Sequence, residues 1–170
     1  MDTNERIEEL FEQYSDMVYR IAISYGNDVQ IAEDVVQEVF LRVLKNKPSF
    51  QGSEHEKAWF VRVTVNCCKS MLSSAWLKRM RPLEDAPEEI SGMFCGGEEQ
   101  ELYETLSKLP AKYRIVLYLR YYEEYQVKEI AGILHILPNT VSARLARAKK
   151  MMKQEILKEM EVRYNEQSFI

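Results

Sequence analysis

Asn139, Ser142, Ala143, Ala146, Arg147 and Lys150 fall on one side of a helix that starts near Pro138 and turns about 100° per residue. Val141, Leu145, Ala148 and Met152 fall on the other side and are expected to be buried. Small side chains on the polar side let a backbone approach a DNA groove closely. Arg147 and Lys150 have the donors to reach guanine edges or phosphates, and Arg144 and Lys149 flank them at positions better suited to phosphates. A shorter helix, Gln126 to Leu134, precedes this one across a tight break, which is the spacing of a helix-turn-helix. The same pattern also fits a helical hairpin with a solvated basic face. His135 stands where a tight turn prefers glycine, so the turn is expected to be strained or reshaped, with His135 in a structural role.

Two further groups could do chemistry. Trp59, Arg62, Asn66, Lys69 and Ser73 line one side of a helix, with Phe50 and Gln51 in the loop before it and Lys78, Arg79 and Arg81 after it. Aromatic, amide and cationic groups interleaved in this way can stack and hydrogen-bond splayed bases, although Trp59 also reads as a core residue. Asp34, Gln37, Glu38, Leu41 and Lys45 share a face away from a valine stripe. A leucine among acids fits a docking face with an apolar centre and a charged rim, or an ordinary solvated face with one stray apolar residue. Asp34 and Glu38 lack a histidine or third acid on that face, so no metal site is expected. Cys67, Cys68 and Cys95 have no zinc spacing, and the adjacent pair is badly placed for a mutual bridge, so reduced thiols are expected.

The elements that must carry these groups all have helical period. Ile7, Leu10, Phe11, Tyr14, Val18, Ile21, Ala22 and Tyr25 make one amphipathic stripe, ended by Gly26-Asn27-Asp28. Ala32, Val35, Val36, Val39, Phe40, Val43 and Leu44 make a second. Ser49 to Glu56 reads as a polar loop, and a third helix as Lys57 to Lys78 with Val61, Val65, Cys68 and Leu72 inward. Leu102, Leu106 and Leu109 lead to Pro110. Tyr113, Val116, Leu117 and Tyr121 follow as another helix, then Val127, Ile130, Ala131 and Leu134. No segment sustains period-two alternation. The pattern predicts an all-α chain of two small helical domains, 1–81 and 98–170, joined by a flexible acidic linker at 82–97.

Charge follows the same division. The net charge is −4, but residues 1–41 carry −8, 42–82 carry +7, 83–104 carry −8, 105–139 carry +2 and 140–170 carry +3. A pI of 5.4 argues against a polyanion partner. The segregation of base onto the groups just described argues for one. No run reaches the roughly 18 apolar residues of a membrane span, and the polar, acidic N-terminus does not read as a signal peptide, so a cytoplasmic protein is expected.

Three stretches together carry a family resemblance: IAEDVVQEVFLRVLK (31–45), SFQGSEHEKAWFVRVTVNCCKSML (49–72) and LSKLPAKYRIVLYLRYYEEYQVKEIAGILHILPNTVSARLARAKKMM (106–152). They resemble the bacterial RNA polymerase sigma factors of the sigma-70 family, in particular the extracytoplasmic-function group that keeps only the second and fourth conserved regions. The resemblance implies a transcription initiation factor and not an enzyme, with no cofactor and no small-molecule substrate. It implies that Asp34, Gln37, Glu38, Leu41 and Arg42 dock on the polymerase β′ clamp. Phe50, Gln51, Arg62, Asn66 and Lys69 would read the minus-ten element, with the Phe50 loop forming a pocket for a flipped base. Asn139, Thr140, Ser142, Ala143, Arg144, Arg147 and Lys150 would read the minus-thirty-five element. The family's usual Thr-Val-Lys-Ser-Arg is Thr140-Val141-Ser142-Ala143-Arg144 here, which shifts the expected contacts toward Arg144 and Arg147. Leu109 to Tyr122 resembles the surface that meets the β flap, the acidic linker would thread near the active cleft, and an anti-sigma factor is an implied further partner. The other readings the residues leave open are a stand-alone helix-turn-helix regulator, which would need a dimer interface, and a helical adaptor with no DNA role.

Overall fold

The computed structural model describes residues 2–75 and 98–168. The expected linker at 82–97, together with Lys78, Arg79, Arg81 and Cys95, lies outside them. The chain divides into two compact units, Met1–Ile90 and Ser91–Ile170. Every regular element among the described residues is helical.

Unit 1 holds α1 (Thr3–Gly26), α2 (Val29–Asn46) and α3 (Ser53–Ala75). Asn27 ends α1 in the left-handed region (φ 51°), and Asp28 begins α2 by accepting the Ile31 N–H at 3.1 Å. This two-residue link both stops one helix and caps the next, which sends α2 back against α1. The apolar stripes meet over most of their length, but Phe11 and Leu44, which the periodicity places on them, are exposed at 48% and 47% because they lie at the edge of the helix pair, where they line a surface groove. Val18, Ile21, Ala22, Ala32, Val35, Val39, Phe60, Val61, Val65 and Cys68 are buried. Each large apolar side chain buried in this way contributes about 1.5–3 kcal/mol.

The third helix starts four residues earlier than expected, at Ser53. The reason is Glu56, which is buried rather than part of a polar loop. Its carboxylate accepts the Tyr14 hydroxyl at 2.9 Å and pairs with the Arg6 guanidinium, both from α1. Tyr14 in turn stacks on Phe60, with ring centroids 4.3 Å apart. A buried carboxylate is tolerable only with such partners. Tyr14→Phe is therefore expected to lower the stability of unit 1 by about 1–2 kcal/mol, because it strips one bond from a charged acceptor while the ring stays in place. A urea unfolding midpoint that does not move would contradict this role.

Unit 2 holds α4 (Glu98–Ser107), α5 (Ala111–Leu117), a π-helical turn (Tyr118–Tyr122), α6 (Val127–Leu134) and α7 (Pro138–Ser168). Arg114 is fully buried and donates from Nη1 to the carbonyls of Ser107 (3.3 Å) and Leu109 (2.9 Å). It thereby satisfies carbonyls left over where α4 ends, and burial pushes its pKa down. Glu159 of α7 binds back to α4 through Lys108 Nζ (2.8 Å) and Thr105 Oγ1 (3.2 Å). The Lys108 hydrogen bond is the main reason its carboxyl is held below the usual carboxylate range.

The π turn was not legible from the periodicity. It inserts an extra residue per turn, so Tyr121, placed on the buried stripe by a 3.6-residue count, is instead 57% exposed. Tyr118, which the periodicity did not place on the stripe, is buried and stacks on Tyr122 at 5.0 Å.

Candidate nucleic-acid and protein interfaces

On α7, Val141, Leu145 and Ala148 are buried and Met152 is half-buried, as expected of the inward stripe. Asn139, Ser142, Ala143, Ala146, Arg147 and Lys150 are exposed, and Thr140 and Arg144 are half-exposed. Helix α6 is fixed before it by Glu129, whose Oε2 accepts the Gln126 N–H at 3.0 Å. Ile130, Ala131, Ile133 and Leu134 of α6 are buried. His135 ends α6 in the left-handed conformation (φ 55°, ψ 44°), with its N–H bonded to the Ala131 carbonyl. The sequence expectation of a strained turn is met in that form. Lys149 is exposed, and its Nζ lies 5.3 Å from the centre of the Tyr121 ring. That cation–π contact draws it toward the π turn.

His135 is exposed, so its side chain contributes little packing while its backbone carries the left-handed penalty of about 1–2 kcal/mol. His135→Gly removes that penalty at some cost in chain entropy, and a net gain of about 0.5 kcal/mol is expected from thermal or urea unfolding. A loss of stability would mean that the imidazole itself holds the turn.

On α2, Asp34, Gln37 and Leu41 are exposed, Leu41 at 58%. Glu38 accepts the Arg42 Nε–H at 2.9 Å, which fixes both side chains beside Leu41. Leu41 and Gln37 also border an apolar groove lined by Phe11, Tyr19, Val36, Phe40 and Leu44. Leu41 is thus part of a continuous apolar surface and not a stray residue. Cys67 lies close enough to Arg42 and Glu38 to feel both charges, but burial dominates and pushes its thiol up. Cys68 is pushed up in the same direction by deeper burial. Both are free thiols of low reactivity.

Before α3, Phe50 is half-buried. Its ring meets Trp59 edge-on at 5.6 Å and His55 at 5.9 Å, and lies 6.3 Å from Phe60. Trp59 is half-buried and packs edge-on against Phe60 at 5.1 Å, so it belongs to the core cluster and to the surface at once. Gln51 is exposed, and its N–H donates to His55 Nδ1 at 3.1 Å. Farther along α3, Arg62 is exposed and Asn66 and Lys69 are half-exposed. The loop leads directly into α3, whose first turn is anchored by Glu56 to Tyr14 and Arg6 of α1. Sequence reasoning missed His55 and Glu56 because it placed both in a polar loop. The signal was available: Glu56, Phe60, Thr64 and Cys67 follow helical spacing, and all four are buried.

In unit 2 an apolar cavity of about 290 Å³ is lined by Leu102, Tyr103, Leu106, Leu117, Tyr118, Tyr121, Tyr122 and Met152. Among the described residues no group of three or more His, Cys, Asp or Glu could hold a metal ion, and no helix is long and apolar enough to cross a membrane.

A helical bundle with an aromatic loop, and a separate helix-turn-helix with a basic outward face, define a class of DNA-binding transcription proteins. Residues 10–78 match Sigma-70 region 2 and residues 99–152 match Sigma-70, region 4. The RNA polymerase sigma factor SigV of Bacillus subtilis (strain 168) is 33% identical over 145 residues, covering 83% of this chain and 85% of SigV. The ECF RNA polymerase sigma factor SigW of the same organism is 25% identical, covering 87% of each chain. In fold, the chain is similar to the sigma factor RpoE from Bartonella quintana, solved in complex with the anti-sigma factor NepR. The TM-score is 0.69 at 16% identity, covering 89% of this chain and 97% of that one. The chain belongs to the sigma-70 family of RNA polymerase sigma factors, in the extracytoplasmic-function group. It is a transcription initiation factor that directs RNA polymerase to promoters, in a family of regulatory proteins rather than enzymes.

Proposed function

We propose that three faces divide the work of initiation. Asp34, Gln37, Glu38, Leu41 and Arg42 of α2 dock on the clamp of core RNA polymerase. Phe50 and Gln51 of the loop, with Arg62, Asn66 and Lys69 of α3, read the minus-ten element and hold an unpaired base. Asn139, Thr140, Ser142, Ala143, Arg144, Arg147 and Lys150 of α7 read the minus-thirty-five element in duplex form. The apolar cavity beside the π turn receives the β flap, and a protein of the anti-sigma class is a further partner, as in the Bartonella quintana relative. Residues 1–81, 82–97 and 98–170 are the corresponding docking-and-melting domain, linker and duplex-reading domain, working in the cytoplasm without a cofactor.

The observation that carries this reading is the outward face of α7. Small residues and Arg147 lie outward while Val141, Leu145 and Ala148 bury the opposite side. A groove-reading helix needs both features, since the first admits the DNA edge and the second fixes the helix's orientation. The chemistry supplied is binding energy. Contacts to duplex localise polymerase, and contacts made only to unpaired bases shift the promoter from closed to open. Size-exclusion chromatography with and without core polymerase tests the assignment. A monomer that forms a one-to-one complex with polymerase supports it. A stable dimer that ignores polymerase points instead to a stand-alone regulator reading two half-sites.

A further inference from the structure

We infer that His55 is a positioning residue for the Phe50–Gly52 loop, holding it through Nδ1 in the shape that receives an unpaired base. The inference rests on the minus-ten reading above. The loop is tied to α3 by two backbone bonds of different kinds. The Glu56 N–H donates to the Gly52 carbonyl at 3.0 Å, which is simply the first turn of the helix. The other is the Gln51 N–H to His55 Nδ1, at 3.1 Å, a side chain reaching back four residues. Between them stands Gly52 at φ 136°, a backbone that side-chain-bearing residues rarely adopt, with nothing within 4 Å of where a Cβ would sit. No side chain wedges Gly52 in place, so the His55 bond sets the direction of the Gln51 peptide. The His55 ring also meets the Phe50 ring edge-to-face, so one residue holds both the aromatic side chain and the Gln51 backbone of the loop.

The bond fixes the tautomer. A neutral imidazole that accepts at Nδ1 carries its proton at Nε2, and a doubly protonated ring has no acceptor left. From the loop, His55 meets the Phe50 ring and the Gln51 backbone, neither of which titrates. On α3 its charged neighbours are Glu54, Glu56 and Lys57, and Glu56 is turned inward onto Tyr14 and Arg6 of α1. Asparagine provides a clean substitute, because its Oδ1 lies close to where Nδ1 lies, accepts in the same way and does not titrate.

The experiment uses holoenzyme, this chain bound to core polymerase, on a promoter first selected from a randomised template pool. Its readout is the ratio of affinities for pre-melted templates with the selected and with singly altered minus-ten bases. Phe50→Ala tests the loop reading itself and is expected to lose discrimination. His55→Ala is expected to lose about fivefold in the ratio, the equivalent of one hydrogen bond, while His55→Asn stays within about twofold of the parent. Full discrimination in His55→Ala alongside loss in Phe50→Ala overturns the role of His55 and leaves the loop reading standing. Equal loss in His55→Asn and His55→Ala also overturns it. Unchanged discrimination in Phe50→Ala overturns the loop reading and this inference with it.

Discussion

The double substitution Glu38→Lys with Leu41→Ala should weaken the complex with core polymerase by roughly 30- to 700-fold, or about 2–4 kcal/mol. Leu41 is the apolar centre of the α2 face, more than half exposed and continuous with the groove between α1 and α2. Truncating it removes buried area from the middle of the proposed contact. Glu38 is on its rim, paired with Arg42. Reversing its charge frees Arg42 and places a second cation four residues before it, so the rim of Asp34, Glu38, Arg42 and Lys45 goes from neutral to basic. That change acts on the docking partner far more than on the helix, where a like-charge pair at this spacing costs only about 0.2–0.5 kcal/mol. Both side chains are turned away from the core formed by Val35, Val39 and Val43, so circular dichroism should be unchanged. A fluorescence titration of labelled protein with core polymerase gives the affinity. A parent-like value in a folded double variant would remove α2 from the docking surface.

Arg147→Ala and Asn66→Ala should both reduce initiation and should do so at different steps. Arg147 is exposed on α7 among Ser142, Ala143 and Ala146, with a long side chain where its neighbours are short. A bidentate contact from it to a base edge is worth about 1–3 kcal/mol, and its loss should also relax sequence preference in the upstream element. Asn66 is half-exposed on α3, one turn beyond Arg62 and before Lys69. Its amide can donate and accept at once, which suits an unpaired base edge. Its loss should leave duplex binding of the upstream element near the parent value and reduce discrimination in the downstream element. Gel shifts of holoenzyme on duplex and on pre-melted templates separate the two effects.

The elements that carry these residues were legible where burial alone decides structure. The stripes of α1, α2, α6 and α7 follow the 3.6-residue period because each helix hides one side against neighbours in its unit, except at Phe11 and Leu44, which the helix pair leaves at its exposed edge. The outward set on α7 followed from the same rotation. The misreadings arise where something other than the burial of an apolar stripe sets a side chain's place. Glu56 reads as loop until Arg6 and Tyr14 are brought across from α1. Tyr121 reads as buried until the π turn shifts its phase. Leu41 could be read either way from sequence, and the apolar groove at its side settles what kind of surface it belongs to. The left-handed turn at His135 could be anticipated because only its backbone was at issue.

The most direct test of the division of labour is permanganate footprinting of unpaired promoter thymines by holoenzyme carrying the parent chain, Arg147→Ala or Asn66→Ala. On a fully paired promoter both variants should give weaker thymine reactivity than the parent. At holoenzyme concentrations that saturate binding, Arg147→Ala should recover parent-like reactivity, because its defect lies in reaching the duplex, while Asn66→Ala should remain low. A pre-melted bubble should likewise restore transcription less completely for Arg147→Ala, whose upstream contact is still missing, than for Asn66→Ala, whose melting step has been bypassed. Recovery of neither variant on the bubble, or better recovery of Arg147→Ala than of Asn66→Ala, would contradict the assignment of α7 to duplex reading and α3 to the unpaired strand.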